Sequence, residues 1–206
     1  KPSEVTPRFV EPLMRTIEQA GLSDLLSFTP GAGETGRAII ERSDLVCFTG
    51  SVPTGKKVAA AAAERLIPAF LELGGKDPLI ITESADLDLA VTAALRGSVL
   101  STGQACQSIE RIYVPRAIHD AFLDKLVAAA EAVRLNWPDI DEGEIGPLIF
   151  ARQAEIIAAQ IEDARSKGAT VHTGGVVETH GGGKWLRPTV LSRVDHSMTI
   201  MTEETF

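Results

Sequence analysis

Two kinds of apolar pattern alternate along the chain. Apolar residues three or four positions apart predict amphipathic helices, whereas short continuous apolar runs predict buried strands. The predicted helices cover residues 7–20, 55–65, 86–100, 118–133 and 150–166, with a brief helix through Ile39 and Ile40. The predicted strands cover residues 25–29, 45–49, 66–73, 78–82, 111–114 and 169–173, and residues 185–191 are expected to be extended. This alternation predicts an α/β fold with a largely parallel sheet.

Glycine and proline mark the connections between these elements. Residues 136–147 form a polar connection that contains proline, and the glycines within residues 174–184 indicate a loop. Gly74 and Gly75 separate two predicted strands, and we interpret this pair as a domain boundary. We therefore expect one domain over residues 1–75 and a second over residues 76–206.

The composition is that of an ordinary globular protein. Of the 206 residues, 44% are hydrophobic and 23% are charged, which argues against a disordered chain. The net charge is −8 and Lys and Arg do not cluster, so we expect no nucleic-acid partner. No apolar stretch is long enough to span a membrane. The chain starts without Met or a signal-peptide pattern, and we expect it to be part of a longer protein at both ends.

The two cysteines occupy different sequence contexts. Two cysteines are too few for a disulfide framework, so we expect a reducing compartment and hence a cytoplasmic protein. Cys47 lies in an apolar run and is expected to be a buried small hydrophobic residue. Cys106 lies on a glycine-containing loop between a helix and a strand, which makes it a candidate nucleophile. The four histidines share no metal-ligand spacing, so no metal site is predicted.

Two glycine-containing turns are candidates for binding a nucleotide phosphate. Residues 31–36 fit the pattern G-x-G-x-x-G between a predicted strand and a helix, but the acidic residue expected about 20 positions later at a strand end is missing. In the second turn, Gly50 and Ser51 end a predicted strand ahead of a helix, where free N–H groups and the helix dipole suit a pyrophosphate. A turn that serves only the backbone stays an open alternative at both places.

Glu72 is the carboxylate with the most unusual sequence setting. It stands between Leu71 and Leu73 and is followed by two glycines. A carboxylate that is desolvated binds a proton more readily and can serve as a general base near neutral pH. A side chain that points to water at the end of a strand is the alternative.

An ordered set of segments over the whole chain resembles the aldehyde dehydrogenase superfamily. The segments are Lys1-Pro2-Ser3-Glu4, Phe48-Thr49-Gly50-Ser51 with Gly55, Leu71-Glu72-Leu73-Gly74-Gly75-Lys76, Gly103-Gln104-Ala105-Cys106, Gly146-Pro147-Leu148, Arg187-Pro188-Thr189-Val190 and Glu203-Glu204-Thr205-Phe206. The separation of 34 positions between Glu72 and Cys106 is also similar to that of the family. The resemblance implies an internal fragment. Residues 1–75 would be part of a Rossmann-like cofactor domain, and residues 76–206 most of an α/β catalytic domain, truncated at its C-terminal end.

The resemblance assigns roles to residues by their positions in the matched motifs. Cys106 matches the nucleophile and Glu72 the general base. The matched cofactor contacts are Lys1 and Glu4 at the adenosine ribose, Gly50 and Ser51 at the pyrophosphate, Glu204 at the nicotinamide ribose and Phe206 beside the nicotinamide.

The reaction implied by the resemblance is the oxidation of an aldehyde to a carboxylic acid with NAD(P)⁺. It passes through a thiohemiacetal and a thioester on Cys106, and the thioester is hydrolysed by water that Glu72 activates. NAD is favoured over NADP because the Glu4 carboxylate repels a 2′-phosphate, although Lys1 would attract one. The full-length protein is expected to be a homodimer or homotetramer. A CoA-acylating aldehyde dehydrogenase and a catalytically inactive homologue are the alternatives.

The chain departs from the family pattern in three respects. The second oxyanion donor of the family, an asparagine side chain, would lie upstream of residue 1, and loss of one such donor costs about 10²–10³ in rate. Further cofactor and oligomerisation segments also lie outside residues 1–206, so we expect these residues alone to be inactive. Thr102 and residues 107–110 differ from the commonest family sequence beside the nucleophile, which bears on the aldehyde that is used.

Overall fold

The protein contains two compact units, Lys1–Leu73 and Gly74–Phe206, in a computed structural model that describes residues 1–206. The assignment of a cofactor role to residues 1–75 and a catalytic role to residues 76–206 stays a prediction. The first unit contains α1 (Val10–Gln19), α2 (Gly33–Ile40), β1 (Val46–Gly50), α3 (Val52–Glu64) and β2 (Ala69–Leu73). The second contains β3 (Asp77–Ile80), α4 (Leu87–Val99), β4 (Ile109–Tyr113), α5 (His119–Ala132), α6 (Ala151–Ser166), β5 (Thr170–Thr173), β6 (Val177–His180), β7 (Gly183–Leu186) and β8 (Val190–Ser192).

The first unit is organised around one parallel pair of strands. β1 and β2 run side by side, and α3 connects them and packs against both. α3 is rich in alanine, which favours a helix, and its buried Gly55 leaves no room for a Cβ atom because the Leu73 side chain occupies that space. The unit therefore follows the strand–helix–strand order that the sequence predicts.

The second unit has a core between two helices and a second parallel pair. β3 pairs with β4, and α4 packs against both β4 and α5. Asp86 begins α4, because its carboxylate accepts the Leu89 N–H at 2.9 Å. The buried side chains that meet between these elements are Ile81, Val91, Ala94, Phe122 and Leu126. The predicted α/β fold is thus confirmed.

Only two of the four strand pairs are parallel, so the prediction of a largely parallel sheet is wrong for the second half of the chain. β5 pairs with β8 in the antiparallel sense, and β6 pairs with β7 as a hairpin. The hairpin lies where the glycines of residues 174–184 predicted a loop. Gly181 and Gly182 have φ values of 57° and 80°, the left-handed conformation of a two-residue hairpin turn. The glycines therefore mark the turn between two strands.

The predicted strand over residues 25–29 does not form. Leu25 and Leu26 are 79% and 51% exposed, and no neighbouring strand offers them hydrogen-bond partners, since the sheet of this unit contains only β1 and β2. An apolar run becomes a strand only where a second backbone edge pairs with it. No helix of the structure combines the length and hydropathy needed to cross a membrane.

We predict that Phe122→Ala lowers the free energy of unfolding of the second unit by about 3–5 kcal/mol, because it leaves a cavity in a closely packed core. Phe122 is 3% exposed in this core. Both tryptophans, Trp137 and Trp185, lie in the second unit, so tryptophan fluorescence during urea unfolding reports on it. Leu89→Ala is the control, since Leu89 is 68% exposed. Equal unfolding midpoints for the two variants would contradict this description of the core.

Candidate active site

The carboxyl ends of β1 and β2 bring three predicted site residues to one edge of the first unit. Gly50 is opposite Leu73, and Thr49 is opposite Glu72, in the parallel register. Ser51 follows Gly50 directly and begins α3. Loops at the carboxyl edge of parallel strands are the usual binding position in such sheets. The sequence-predicted residues Gly50, Ser51 and Glu72 thus share an edge where a ligand can be bound.

The start of α3 has free main-chain donors. Ser51 is the N-cap residue, and its hydroxyl donates to Thr54 Oγ1 at 3.1 Å instead of accepting a main-chain N–H. Pro53 has no N–H, and Gly55 N donates to the Ser51 carbonyl at 2.9 Å. The N–H groups of Val52 and Thr54 are therefore left without an acceptor within the helix. Together with the positive end of the helix dipole, they form a suitable site for a phosphate group.

The other glycine turn lacks the context that a nucleotide loop requires. α2 begins at Gly33, inside residues 31–36, and no strand precedes it because residues 25–29 are irregular. The strand–turn–helix arrangement on which the dinucleotide interpretation depends is absent there.

Glu72 and Cys47 point to the same exposed face of the β1–β2 pair. Glu72 is exposed, so the enclosed position considered for this carboxylate is not found within the first unit. Cys47 is also exposed, and the prediction of a buried cysteine is wrong. Its cross-strand partner Phe70 is 61% exposed, because α3 packs only against the opposite face of this pair. A local apolar run could not show which face of the strand α3 would cover.

Lys1 and Glu4 form an ion pair at the start of the first unit. Lys1 Nζ lies 2.7 Å from Glu4 Oε2. The hydrogen bond from Lys1 is the main cause that lowers the pKa of Glu4, and a backbone hydrogen bond and the charge of Lys1 lower it further. Glu4 is therefore a carboxylate at neutral pH and can accept hydrogen bonds from hydroxyl groups.

In the second unit, Cys106 lies on a loop with an unusual backbone. Ser101, Thr102 and Gly103 have φ values of 55°, 62° and 70°, and such consecutive left-handed residues turn the chain sharply after α4. The Ser108 hydroxyl closes the loop by donating to the Gly103 carbonyl at 2.9 Å. We refer to residues 101–108 as the Cys106 loop.

Two side chains attach the Cys106 loop to residues 146–149. Thr102 Oγ1 accepts the Gly146 N–H at 2.9 Å. Gln104 Oε1 accepts the Ile149 N–H at 2.7 Å, and Gln104 Nε2 donates to the Pro147 carbonyl at 3.3 Å. Sequence reasoning identified the Gly146-Pro147-Leu148 segment but not its role. The structure shows that this segment supports the Cys106 loop.

The Cys106 thiol is exposed at the tip of this loop. Its Sγ donates a hydrogen bond to Gln107 Oε1 at 3.1 Å. No main-chain acceptor binds the Cys106 N–H, which leaves it free to donate to another group. The loop therefore presents an accessible thiol and a free hydrogen-bond donor from the same residue.

Glu204 and Phe206 belong to the last residues of the second unit in the sequence. The Glu204 carboxylate occupies the space that a Cβ atom on Gly74 would need, so a larger residue at position 74 would require the Glu204 side chain to move. Burial, and then the negative charge of Glu110, raise the pKa of Glu204, and the charge of Lys76 partly opposes this. Phe206 is 42% exposed.

The predicted site residues are divided between the two units. Those in the first unit are Lys1, Glu4, Gly50, Ser51 and Glu72, and those in the second are Cys106, Glu204 and Phe206. Sequence reasoning missed the polar partners of residues 204–205, among them Gln160. This buried glutamine belongs to the apolar face of α6, between Ile157 and Ile161. A polar residue inside an apolar helical stripe was the available signal.

No cluster of His, Cys, Asp and Glu could hold a metal ion.

Comparisons with known proteins agree on one family. The model of the family described as "Aldehyde dehydrogenase family" matches residues 1–206. A betaine aldehyde dehydrogenase of Rhizobium leguminosarum is 40% identical over 211 residues, which include all of this chain and 43% of that protein. The chain therefore spans less than half the length of the curated relatives it matches.

Solved structures show the same similarity. PutA from Anabaena variabilis has a TM-score of 0.96 and 54% identity, over 99% of this chain and 44% of that one. An aldehyde dehydrogenase from Bacillus cereus, solved as an NAD⁺ complex, has a TM-score of 0.82 and 40% identity over 87% of this chain and 37% of its own. The predicted aldehyde dehydrogenase-like fold is thereby confirmed.

We predict that Thr102→Val accelerates hydrogen exchange of the Gly146 amide. Valine has a similar shape but no acceptor, and an unsatisfied buried N–H costs about 1–3 kcal/mol, equivalent to about 5- to 150-fold in the exchange rate. Thr92→Val is the matched control, since the Thr92 hydroxyl bonds only to the Asp88 carbonyl on α4. Unchanged exchange at Gly146 in Thr102→Val would show that this hydrogen bond does not support the Cys106 loop.

Proposed function

Because this chain belongs to the aldehyde dehydrogenase family, we propose that the protein oxidises an aldehyde to a carboxylic acid, with NAD(P)⁺ as the oxidant. The observation that carries the proposal is the exposed Cys106 thiol, presented by a loop that Thr102 and Gln104 attach to residues 146–149. A fixed, accessible thiol is what covalent catalysis on an aldehyde requires. Since residues 1–206 cover 43% of the relative's length, the tests use the full-length protein that carries them.

Residues of both units would bind the cofactor. The start of α3, with Ser51 and its two free N–H groups, suits the pyrophosphate, and Glu4 suits the hydroxyls of the adenosine ribose. In the second unit, the Glu204 carboxylate would accept hydrogen bonds from the nicotinamide ribose, beside the Phe206 ring. When bound, NAD(P)⁺ supplies the acceptor for the hydride. We favour NAD because Glu4 is ionised and would repel a 2′-phosphate.

Cys106 would carry the first half of the reaction. Its thiolate attacks the carbonyl carbon of the aldehyde, and the carbonyl oxygen takes up the electron pair as an oxyanion. The free Cys106 N–H is placed on the same residue and can stabilise that oxyanion. Re-formation of the C=O bond would break the C–H bond and leave a thioester on Cys106, and a bound NAD(P)⁺ would be the acceptor of the hydride.

Glu72 would carry the second half. Its carboxylate removes a proton from water as the water oxygen attacks the thioester carbon. The C–S bond then breaks, the carboxylic acid leaves and the thiolate is restored. The proposal requires that Glu72 of the first unit and Cys106 of the second act on one substrate. Its support is that the matched positions carry a carboxylate and a thiol, both exposed within their units.

Three further features belong to this proposal. The full-length protein acts as a homodimer or homotetramer in the cytoplasm, where the free thiols Cys47 and Cys106 stay reduced. Residues 1–206 alone do not catalyse the reaction, because the family uses additional cofactor and oxyanion groups.

In the CoA-acylating alternative, CoA would take the acyl group in place of water, and Glu72 would be dispensable.

We predict that Cys106→Ala lowers aldehyde-dependent NADH formation by about 10⁴-fold or more, since no covalent intermediate can form. The absorbance of NADH at saturating aldehyde measures this. Cys47→Ala is the matched control, because Cys47 is the other exposed thiol and lies outside the Cys106 loop. Turnover that survives in Cys106→Ala would exclude the proposed mechanism, and a wild-type protein that forms no NADH with any aldehyde would indicate the inactive homologue.

We predict that Glu72→Gln separates the two halves of the reaction. Acylation of Cys106 continues, so the first turnover still releases NADH, whereas steady-state hydrolysis falls about 10²–10⁴-fold without its base. Rapid-mixing absorbance resolves the two phases. Glu64→Gln is the control, since Glu64 is an exposed glutamate at the end of α3. Full steady-state turnover in Glu72→Gln, with acyl-CoA as the product when CoA is added, would favour the CoA-acylating alternative.

A further inference from the structure

A buried ion pair in the second unit takes no part in the proposed chemistry. Lys76 Nζ lies 3.4 Å from Glu110 Oε1, and their side chains are only 6% and 16% exposed. Burial is the main influence on both groups, since it lowers the pKa of Lys76 and raises the pKa of Glu110, while each charge partly offsets this for the other. A pair this enclosed adds little stability compared with apolar side chains of the same size. Its contacts therefore indicate another role.

Those contacts converge on Thr205. Its N–H donates to Glu110 Oε1 at 2.9 Å, and its hydroxyl accepts from Lys76 Nζ and donates to Gln160 Oε1 at 2.8 Å. Gln160 is 3% exposed, and its Nε2 donates to the Glu204 carbonyl at 3.1 Å. Four hydrogen bonds thus hold Glu204 and Thr205. They come from Lys76, which directly precedes β3, from Glu110 in β4 and from Gln160 in α6.

Residues 204–206 need such partners because they lie outside regular structure. The last 3-10 turn, Thr199–Met201, still accepts the N–H groups of Thr202 and Glu203 at the Thr199 carbonyl, but no strand or helix ladder supplies partners to the backbone of residues 204–206. Side chains must supply those hydrogen bonds if the segment is to keep one conformation. The result is that the Glu204 carboxylate lies directly over the backbone of Gly74.

We propose that Lys76, Glu110 and Gln160, here called the C-terminal clamp, position the Glu204 carboxylate for the ribose of the nicotinamide cofactor. The inference rests on the proposed function, which makes Glu204 a cofactor contact. The clamp residues are positioning residues, since they act through Thr205 and the Glu204 main chain. A fixed carboxylate binds a ribose more tightly than a mobile one, because less conformational freedom is lost on binding.

Gln160 is the best residue for a test. It is neutral, so its removal leaves no buried unpaired charge, whereas substitution of Lys76 or Glu110 would leave one and destabilise the unit. Gln160→Met keeps the length and the apolar stem of the side chain while it removes both hydrogen bonds. Gln153→Met is the matched control, on the same helix, because the Gln153 side chain makes no hydrogen bond to residues 204–205.

The first measurement needs no cofactor. Hydrogen exchange of the full-length protein is followed at the amides of residues 204–205. Loss of the Gln160 bonds is expected to accelerate exchange at Thr205 about fivefold or more, because the segment opens more often. Gln153→Met is expected to match the wild type. Equal exchange in Gln160→Met and Gln153→Met would overturn the clamp.

The second measurement separates cofactor positioning from chemistry. The Kd for NAD⁺ is determined by calorimetric titration in a Cys106→Ala background, where no covalent step occurs. We expect a Kd about tenfold higher in Gln160→Met than in Gln153→Met. In the protein with Cys106 intact, the alkylation rate of Cys106 by iodoacetamide is expected to stay unchanged.

Each result distinguishes the clamp from the proposed function. Weaker NAD⁺ binding with normal Cys106 alkylation supports the clamp, even if Cys106→Ala were to retain turnover and so exclude the proposed chemistry. Faster exchange at Thr205 with an unchanged Kd would reject the cofactor role. If Gln160→Met lowered the NAD⁺ affinity, the alkylation rate of Cys106 and the free energy of unfolding together, Gln160 would have a merely structural role, and the proposal would also be overturned.

Discussion

Side-chain hydrogen bonds to the main chain fix the irregular segments that carry Cys106 and Glu204. Helices and strands satisfy their own backbone groups, but a loop that must keep one shape has to obtain its partners elsewhere. For the Cys106 loop, Thr102 and Gln104 reach across to residues 146–149. For residues 204–205, Glu110 and Gln160 supply the equivalent bonds. The conformation of both segments therefore depends on neutral or paired polar side chains at buried or partly buried positions.

The two segments differ in what holds them. The Cys106 loop is attached by neutral amide and hydroxyl groups, and consecutive left-handed residues store local backbone strain close to Cys106. The segment that carries Glu204 is attached partly by charged side chains. Lys76 and Glu110 are both buried, and the attraction between their charges offsets part of the cost of removing them from water. Glu204 itself becomes easier to protonate through burial and the charge of Glu110. The charge of Lys76 partly opposes this rise in the pKa of Glu204.

The first unit contributes a simpler arrangement. The parallel register of β1 and β2 brings Ser51 and Glu72 to one edge without any long side-chain network. Two free N–H groups at the start of α3 add the positive field that a phosphate needs. The position of these groups follows from the pairing of β1 with β2 and from the start of α3.

The sequence by itself determined most helices and the family to which the chain belongs. α5 and α6 follow directly from apolar residues spaced along one face, such as Phe122 and Leu126, because helix formation depends on neighbours within one or two turns. The ordered motifs around Glu72 and Cys106 were sufficient for the family. Local sequence patterns are therefore enough to predict both the helices and the family.

Only the tertiary structure decided which apolar runs pair and which faces are covered. Residues 25–29 have the composition of a strand but no partner, and Cys47 lies on the face that α3 leaves open. The role of Gln160 depends on residues 204–205, which are more than forty positions away in the chain. Strand pairing, burial and such hydrogen bonds join distant residues, so no local pattern around one of them specifies the other.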